Sequence, residues 1–360
     1  GVGASLLKAI EGPLHDIDDE LKVLAKYRLD RNTFKKLYQL HLLPPIKGTP
    51  KPWTTNHDGG YELESKSVLL GKGNHHNYPQ ALDALNLLQE VQWKIDAQVI
   101  LQEKSTHPNT KRFLRVVSDY LGETFNFVWR FDKRGRSYSQ GWDINLQNDE
   151  FGKALLSLAN KEVVNNLDDL KIAVANHAGY DRLTWQERID WFDNQNDTFD
   201  TDQFDEPVLG RKALRAFQDT LDGKATGYWM SMDATASGLQ IMAVLSGCKK
   251  SAQVCNLMNT NDREDVYEMV ADMMNVELDP VDQVSRADVK KPLMTKLYNS
   301  EATPKAHFND NQLKAFNKAL DGLVPGAMDV MKTINACWDN TKLSNSWTLP
   351  DGHVAHCKVE

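Results

Sequence analysis

The chain predicts an α+β fold that is mostly helical. Three observations carry that expectation. Long stretches repeat apolar residues at about 3.6-residue spacing without a breaker. Alternating aromatics occur in one short run: Phe125, Phe127, Trp129 and Phe131. Clusters of Pro, Gly and Asp separate these segments as loops and turns.

In chain order, residues 4–43 read as helical, with no breaker after Pro13. Residues 44–61 carry Pro44-Pro45, Pro50-Lys51-Pro52-Trp53 and Asp58-Gly59-Gly60-Tyr61, a loop composition. Residues 79–104 read as one helix, with Leu85, Leu88, Val91 and Ile95 on one side. The aromatic run predicts a strand over 125–131, ended by a turn at Asp132-Lys133-Arg134-Gly135-Arg136. Helices are expected over 151–160 and 207–221, with an exposed acidic loop at 193–206 between them. A short strand over 227–233 precedes helices at 236–246, 262–275, 286–298 and 311–339. No internal repeat or low-complexity tail is visible.

Composition bounds the class. The 360 residues are 41% hydrophobic and 26% charged, the balance of an ordinary globular protein with room for more than one domain. No apolar run reaches the length of about 18 residues that a membrane helix needs, so no membrane association is expected. The opening Gly-Val-Gly-Ala-Ser-Leu-Leu-Lys is too short an apolar stretch for a signal peptide, and the absent Met leaves room for residues upstream. Cys248, Cys255, Cys337 and Cys357 form no Cys-x-x-Cys pair, which disfavours a zinc site or disulfide framework and fits a reducing cytoplasm. A net charge of −8 argues against nucleic-acid binding by bulk electrostatics, but the charge is segregated. From Lys104 to Arg136 there are eight Lys or Arg against three acids, and from Asp193 to Glu206 six acids and no base.

Three constellations could carry chemistry. Arg286, Lys290, Met294 and Tyr298 recur every four residues and stack along one helical stripe. Two cations, a thioether and a phenol make a poor core face and a good surface for a nucleoside triphosphate; the plain alternative is a solvated helix. Asp233 closes a short apolar run ahead of Ala234-Thr235-Ala236-Ser237-Gly238-Leu239-Gln240, where it could bind a divalent cation or simply cap a helix. Asp132 to Arg136 gathers cations on a glycine turn, suited to a sugar–phosphate backbone or to an ordinary hairpin tip. An acid followed about 50 residues later by an Arg/Lys helix is the pairing that phosphate transfer requires.

In this order these motifs resemble the single-subunit RNA polymerases of bacteriophages, a family shared with mitochondrial transcription enzymes. Asp132 to Arg136 looks like the family's Asp-x-x-Gly-Arg motif, Asp233 with Ser237-Gly238-x-Gln240 like its motif A, and Arg286, Lys290, Met294-Thr295 and Tyr298 like its motif B helix. Weaker echoes are Pro50 to Trp53 with Gly59-Gly60-Tyr61, Gln92 to Ile95, Asp265 to Tyr267, and Trp347 to Gly352. The resemblance implies a right-hand polymerase fold: a partial palm with a small antiparallel sheet, helical fingers and a reduced thumb. It divides the chain into an N-terminal helical region (1–103), a reduced thumb (104–117), the first part of the palm (118–249) and fingers (250–360).

The resemblance also implies roles. Asp233 would bind catalytic Mg²⁺, with the Ala234 backbone carbonyl as a further ligand. Arg286, Lys290, Met294 and Tyr298 would hold the incoming triphosphate, with Lys290 and Tyr298 counted with Asp233 as catalytic and Tyr298 at the sugar. Arg134, Arg136, Tyr138, Lys153, Ser237, Gly238, Gln240 and Tyr267 would meet nucleic acid. The implied activity is DNA-directed ribonucleotidyl transfer by a two-metal mechanism. Its implied partners are DNA template, single-stranded or opened with an accessory single-stranded-DNA-binding or promoter factor, RNA product and nucleoside triphosphates, in the cytoplasm of an infected bacterial host. Met294, where family-A DNA polymerases usually carry Phe, and the Ser-Gly-x-Gln pattern favour RNA synthesis over that alternative. A non-catalytic nucleic-acid-binding scaffold is the other.

Three departures from the pattern are visible. Pro292 falls within the stripe, so the helix is expected either to start near it or to kink. Asn299 stands where the family has Gly. No His-Asp-Ser motif C follows Trp347 to Gly352, so a second subunit bearing the other catalytic Asp is expected, as in the two-chain enzymes of some podoviruses; the competing explanations are a truncated chain and a degenerate, non-catalytic homologue.

Overall fold

The computed structural model describes residues 43–62, 68, 79–103, 110–132, 135–195, 198–258, 260, 263–348 and 354–358. The helix expected over 4–43 lies outside them except for Leu43. In place of one helix over 79–104 there are three elements: α1 (Pro79–Glu90), β1 (Gln92–Ile95) and α2 (Ala97–Gln102). The apolar spacing runs on through Val91 and Ile95, but Trp93 and Ile95 are buried while Gln92 is exposed, a two-residue period. Asp96 then starts α2 by accepting from the N–H groups of Gln98 and Val99.

After α3 (Thr110–Ser118), the aromatic run divides into β2 (Phe125–Asn126) and β3 (Val128–Phe131). β2 pairs antiparallel with β1, placing Trp93 opposite Phe125. β3 pairs with β4 (Ser137–Gln140), with Phe131 opposite Ser137. One alternating run therefore serves two sheets. The expected helix over 151–160 is also corrected: α4 (Glu150–Ala154) is a single turn, and β5 (Leu156–Leu158) joins the other edge of β1, giving a three-stranded antiparallel sheet β2-β1-β5. Sheet pairing overrides helical spacing in both corrections.

α5 (Leu167–Ala175) and α6 (Trp185–Asp193) precede the acidic loop, and neither was marked by the apolar pattern. α7 (Pro207–Leu221) begins and ends where expected, with Pro207 in its first turn. The strand expected over 227–233 forms no ladder. Gly227 accepts from Leu158 N–H at 2.8 Å, Trp229 Nε1 donates to the Leu156 carbonyl at 2.9 Å, and the segment then leaves the sheet. The Trp229 ring meets Trp93 edge-on at 5.5 Å and holds this departure point.

The C-terminal helices are α8 (Ser237–Ser246), α9 (Lys249–Gln253), α10 (Val266–Asn275), α11 (Arg286–Leu297), α12 (Ala302–His307), α13 (Asp310–Leu323) and α14 (Pro325–Ala336). The single helix expected over 311–339 is broken at Val324, whose ψ of 49 lies outside the helical range ahead of Pro325. A hairpin of β6 (Ser344–Thr348) and β7 (Val354–Lys358) follows. Leu239, Val270, Met274, Val289, Leu293, Phe316 and Val324 fill one core that joins α8, α10, α11, α13 and α14. A second core, with Trp93, Phe113, Phe125, Phe127, Phe151 and Leu156, lies under the three-stranded sheet. Trp53 anchors the 44–61 loop to α1 and β3: its indole N–H donates to Gln89 Oε1 and to the Trp129 carbonyl, each at 3.1 Å. Gly60, at φ +79, lies so close to this indole and to Val128 that a Cβ would clash with both. Among the described residues no helix is long and apolar enough to cross a membrane.

Lys212 on α7 has a side chain only 4% exposed, with Nζ donating to the carbonyls of Ala154 and Leu156 at 2.7 and 2.6 Å, and 3.6 Å from Asp96. Burial pushes its pKa down from 10.5 to about 8, and the Asp96 carboxylate opposes that shift. Unfolded Lys212 keeps its proton to higher pH than folded Lys212, so between these values the unfolded state binds more protons and stability rises with pH. The stability difference between wild type and Lys212→Met is expected to move in favour of wild type by about 3 kcal/mol from pH 8 to 10.5. Denaturant titrations across that range check it; parallel curves would contradict it.

Candidate active site

α11 owes its start to a capping box. The Ser285 hydroxyl accepts from Asp288 N–H at 3.3 Å and the Asp288 carboxylate accepts from Ser285 N–H at 2.9 Å. The helix therefore begins at Arg286, not near Pro292, and Pro292 sits in its interior. Pro292 has no N–H for the Asp288 carbonyl, and its ring is buried beside Val289, Leu293 and Leu297. That burial turns the opposite face outward: Lys290 is exposed, Met294 is 41% exposed and Tyr298 63%. The stripe of cations and phenol is thus the free side of a helix whose other side is core.

Arg286, at the head of the stripe, is half-buried and held. Its Nε donates to Asp265 Oδ2 at 2.6 Å, and its guanidinium carbon lies 5.3 Å from the centre of the Tyr267 ring. Asp265 also caps α10, accepting from the N–H groups of Tyr267 and Glu268. Asp265 appeared in the sequence only inside a weak echo; its position just ahead of an apolar helix was the signal for a cap, and nothing local marked it as the arginine's partner. Burial raises the pKa of Tyr267; the Arg286 charge lowers it, and Asp265, Tyr298 and Asp233 raise it. These groups therefore share one electrostatic neighbourhood.

Asp233 stands in the exposed segment between Trp229 and α8, and its Oδ1 accepts from Ala234 N–H at 2.8 Å. Ala236, at φ +52, starts α8 in the left-handed region, a conformation that costs a residue with a Cβ about 1–2 kcal/mol. A Cβ added at Gly238 would meet Leu297 Cβ at 3.7 Å, an ordinary contact, so the first turn of α8 lies close to the end of α11. Ser237 is exposed there, whereas Gln240 gives its amide to the Cys255 carbonyl at 2.9 Å.

The glycine turn reaches the same place from the other side of the chain. Gly135 at φ +80 closes it: Gly135 N–H donates to the Asp132 carbonyl at 3.0 Å and Asp132 N–H to the Arg136 carbonyl at 2.9 Å. Arg136 Nη2 then donates to the Tyr298 hydroxyl at 3.5 Å, a long bond that marks proximity across 162 positions. Tyr138 turns back, its hydroxyl donating to Asp132 at 3.2 Å. Arg134 lies outside the described residues. Lys153 is elsewhere: its charge bears on Glu206.

Glu206 belongs to a chain that no local pattern announced. His177 Nδ1 lies 2.8 Å from Glu206 Oε2 and Nε2 lies 3.1 Å from the Tyr228 hydroxyl. The His177 contact, against burial, draws the pKa of Glu206 down, and burial raises that of Tyr228. Together with Trp229 this chain fixes the base of the segment that carries Asp233.

Asn299 is explained by its backbone. At φ +67 it occupies the conformation in which Gly is easiest and Asn next. Its amide pairs in both directions with Asn335 on α14, at 2.7 and 3.0 Å. Asn299→Ala is expected to cost about 1–2 kcal/mol, since a methyl side chain is strained at positive φ, and Asn299→Gly less. Equal stabilities of the two variants in denaturant melts would remove this account.

The donors suit a hard cation only in part. Asp233 offers carboxylate oxygen and Ala234 a carbonyl, but no group of three or more His, Cys, Asp or Glu among the described residues could hold an ion. Mg²⁺ commonly binds through one or two carboxylates together with substrate phosphates, and the arrangement fits that mode.

Comparison with known proteins agrees with the resemblance read from the motifs. Residues 225–347 match the family model of DNA-dependent RNA polymerase. The DNA-directed RNA polymerase of Pseudomonas phage phiKMV is 28% identical over 52% of this chain and 28% of its own length. The mitochondrial enzyme of Schizosaccharomyces pombe is 24% identical over 76% of this chain and 32% of its own, and that of Neurospora crassa 26% over 57% and 17%. The chain thus spans about a third or less of the curated relatives it matches.

Proposed function

We propose that this chain, similar to the DNA-directed RNA polymerases of phages and mitochondria, supplies the nucleotide-gripping part of an RNA polymerase active site. The observation that carries the reading is the meeting of Arg136 with Tyr298, beside Arg286, Tyr267 and Asp233. Three motifs that could each be structural when taken singly converge on one exposed face.

In this reading Arg286 and Lys290 hold the triphosphate, Arg286 already oriented by Asp265 and Tyr267. Tyr298 lies at the sugar, Met294 beside the base, and Arg136 and Tyr138 against the template–product duplex. Asp233 and the Ala234 carbonyl would hold Mg²⁺, which when bound stabilises charge on the phosphates. The RNA 3′ hydroxyl loses its proton to water as its oxygen bonds to the α-phosphorus, the bond from that phosphorus to the α–β bridging oxygen breaks, and pyrophosphate leaves toward Arg286 and Lys290. The palm occupies 118–249 and the fingers 250–360, with 104–117 as a reduced thumb. The second carboxylate of a two-metal site would come from a further subunit, in a heterodimer on our reading. Template DNA, opened by an accessory factor or single-stranded, and RNA are the remaining partners, in an infected bacterial host.

Acylation of Lys290, read by mass spectrometry, tests the grip. Nucleoside triphosphate with Mg²⁺ is expected to protect Lys290 while exposed Lys249 stays reactive. No protection at saturating nucleotide would favour a nucleic-acid-binding scaffold. Preference for deoxyribonucleotides in primer extension would favour a DNA polymerase. Incorporation by the purified chain alone would refute the heterodimer.

A further inference from the structure

A cavity of about 410 Å³ lies between β1, β5 and α7, away from the residues assigned above. Its volume falls within the range of small-ligand sites, about 300–1,000 Å³. Five cations line it, Lys94, Lys161, Lys212, Arg215 and Lys224, against two carboxylates, Asp96 and Asp219. Asp96 is already engaged: Arg215 donates to it at 2.5 Å and Lys212 lies 3.6 Å away. Lys224 pairs with Asp222, which is outside the lining, at 2.9 Å. Among the described residues Lys94 and Lys161 have no ion-pair partner. The interior therefore presents a surplus of positive charge.

Lys212 makes this surplus a built feature. It cannot swing into solvent, since it is buried and bonded to two carbonyls. Burial alone disfavours its charge, and an anion nearby would stabilise it. Ser157 and Thr226 add hydroxyls, while Ile95, Leu158 and the Tyr228 ring add apolar surface. Cations for phosphate beside a flat apolar wall suit a phosphate ester carrying a sugar or base.

We propose that this cavity is a phosphate-binding site for an ester of nucleotide size, distinct from the Asp233 site. The ester has two sources, a free nucleotide or a phosphodiester of a nucleic-acid strand. Isothermal titration of the full chain in EDTA distinguishes them, using ATP, inorganic pyrophosphate and an eight-nucleotide single-stranded RNA as probes. Wild type is expected to bind at least one probe, with the tighter of ATP and the oligonucleotide naming the source; pyrophosphate tighter than both would remove the sugar or base from the claim and overturn it as stated. The double variant Lys94→Glu, Lys161→Glu should bind at least ten-fold more weakly. The matched reversal Lys249→Glu, Lys250→Glu on exposed surface should change binding less than two-fold, and Lys290→Ala reports any binding at the Asp233 site. Absence of binding, an equal loss with the Lys249 and Lys250 reversal, or a loss confined to Lys290→Ala would each overturn the proposal. A circular-dichroism melt of each variant separates lost binding from lost fold.

Discussion

Asp233→Asn is expected to reduce ribonucleotide incorporation by the complete enzyme about 10³-fold or more while leaving the chain folded. The scale follows from what one preorganised electrostatic group is worth at a reacting centre, about 10²–10³ in kcat, here with the proposed cation ligand lost as well. The sparing of the fold follows from surroundings. Asp233 is exposed, and its one hydrogen bond among the described residues is accepted from Ala234 N–H by Oδ1, an acceptor that Asn retains. The stability change should stay within about 0.5 kcal/mol, as for other surface substitutions. Primer extension beside a denaturant melt reads both quantities. Turnover within two-fold of wild type would remove Asp233 from the reaction, and a collapsed melt would make it structural.

Arg286→Ala is expected to raise the KM for nucleotide by about 10- to 100-fold, the value of a charge-assisted hydrogen bond of about 1.5–3 kcal/mol. Arg286 is constrained before any ligand arrives, by Asp265 on one side and the Tyr267 ring on the other. Constraint lowers the ordering entropy that binding would otherwise cost. Asp265→Asn separates holding from charge: it keeps a cap acceptor for α10 and the cation of Arg286 but weakens the bond between them. Its effect on KM should be several-fold smaller than that of Arg286→Ala. A larger effect in Asp265→Asn would make the aspartate, rather than the arginine, the group that meets substrate. Unchanged KM in both variants would place the stripe outside nucleotide binding.

How far these residues could be read in advance differs along the chain. The stripe on α11 was legible because Val289, Leu293 and Leu297 define one face by spacing and leave Lys290, Met294 and Tyr298 on the other. α7 was legible to the residue, since Pro207 marks its first turn. β1 and β5 were not, because Ile95 and Leu156 continue helical spacings and become strands only by pairing with each other. The extended segment before Asp233 looked like a strand for the converse reason: its apolar residues pack through Trp229 onto Trp93 instead of joining a ladder.

The site divides in the same way. Residue types and short-range periodicity are local properties, so the acid, the cation stripe and the glycine turn could be named from the sequence, with RNA polymerase as the family they resemble. Contacts between distant residues depend on how the whole chain packs. Only the tertiary structure placed Arg136 beside Tyr298, set Asp265 on Arg286, joined His177 to Glu206 and Tyr228, and enclosed Lys212 in a cationic cavity. None of these pairings leaves a local trace, because each side chain alone has an equally ordinary reason to be where it is: a cap, a turn, a solvated helix face. Convergence in space is what makes one of those reasons fail and the other hold.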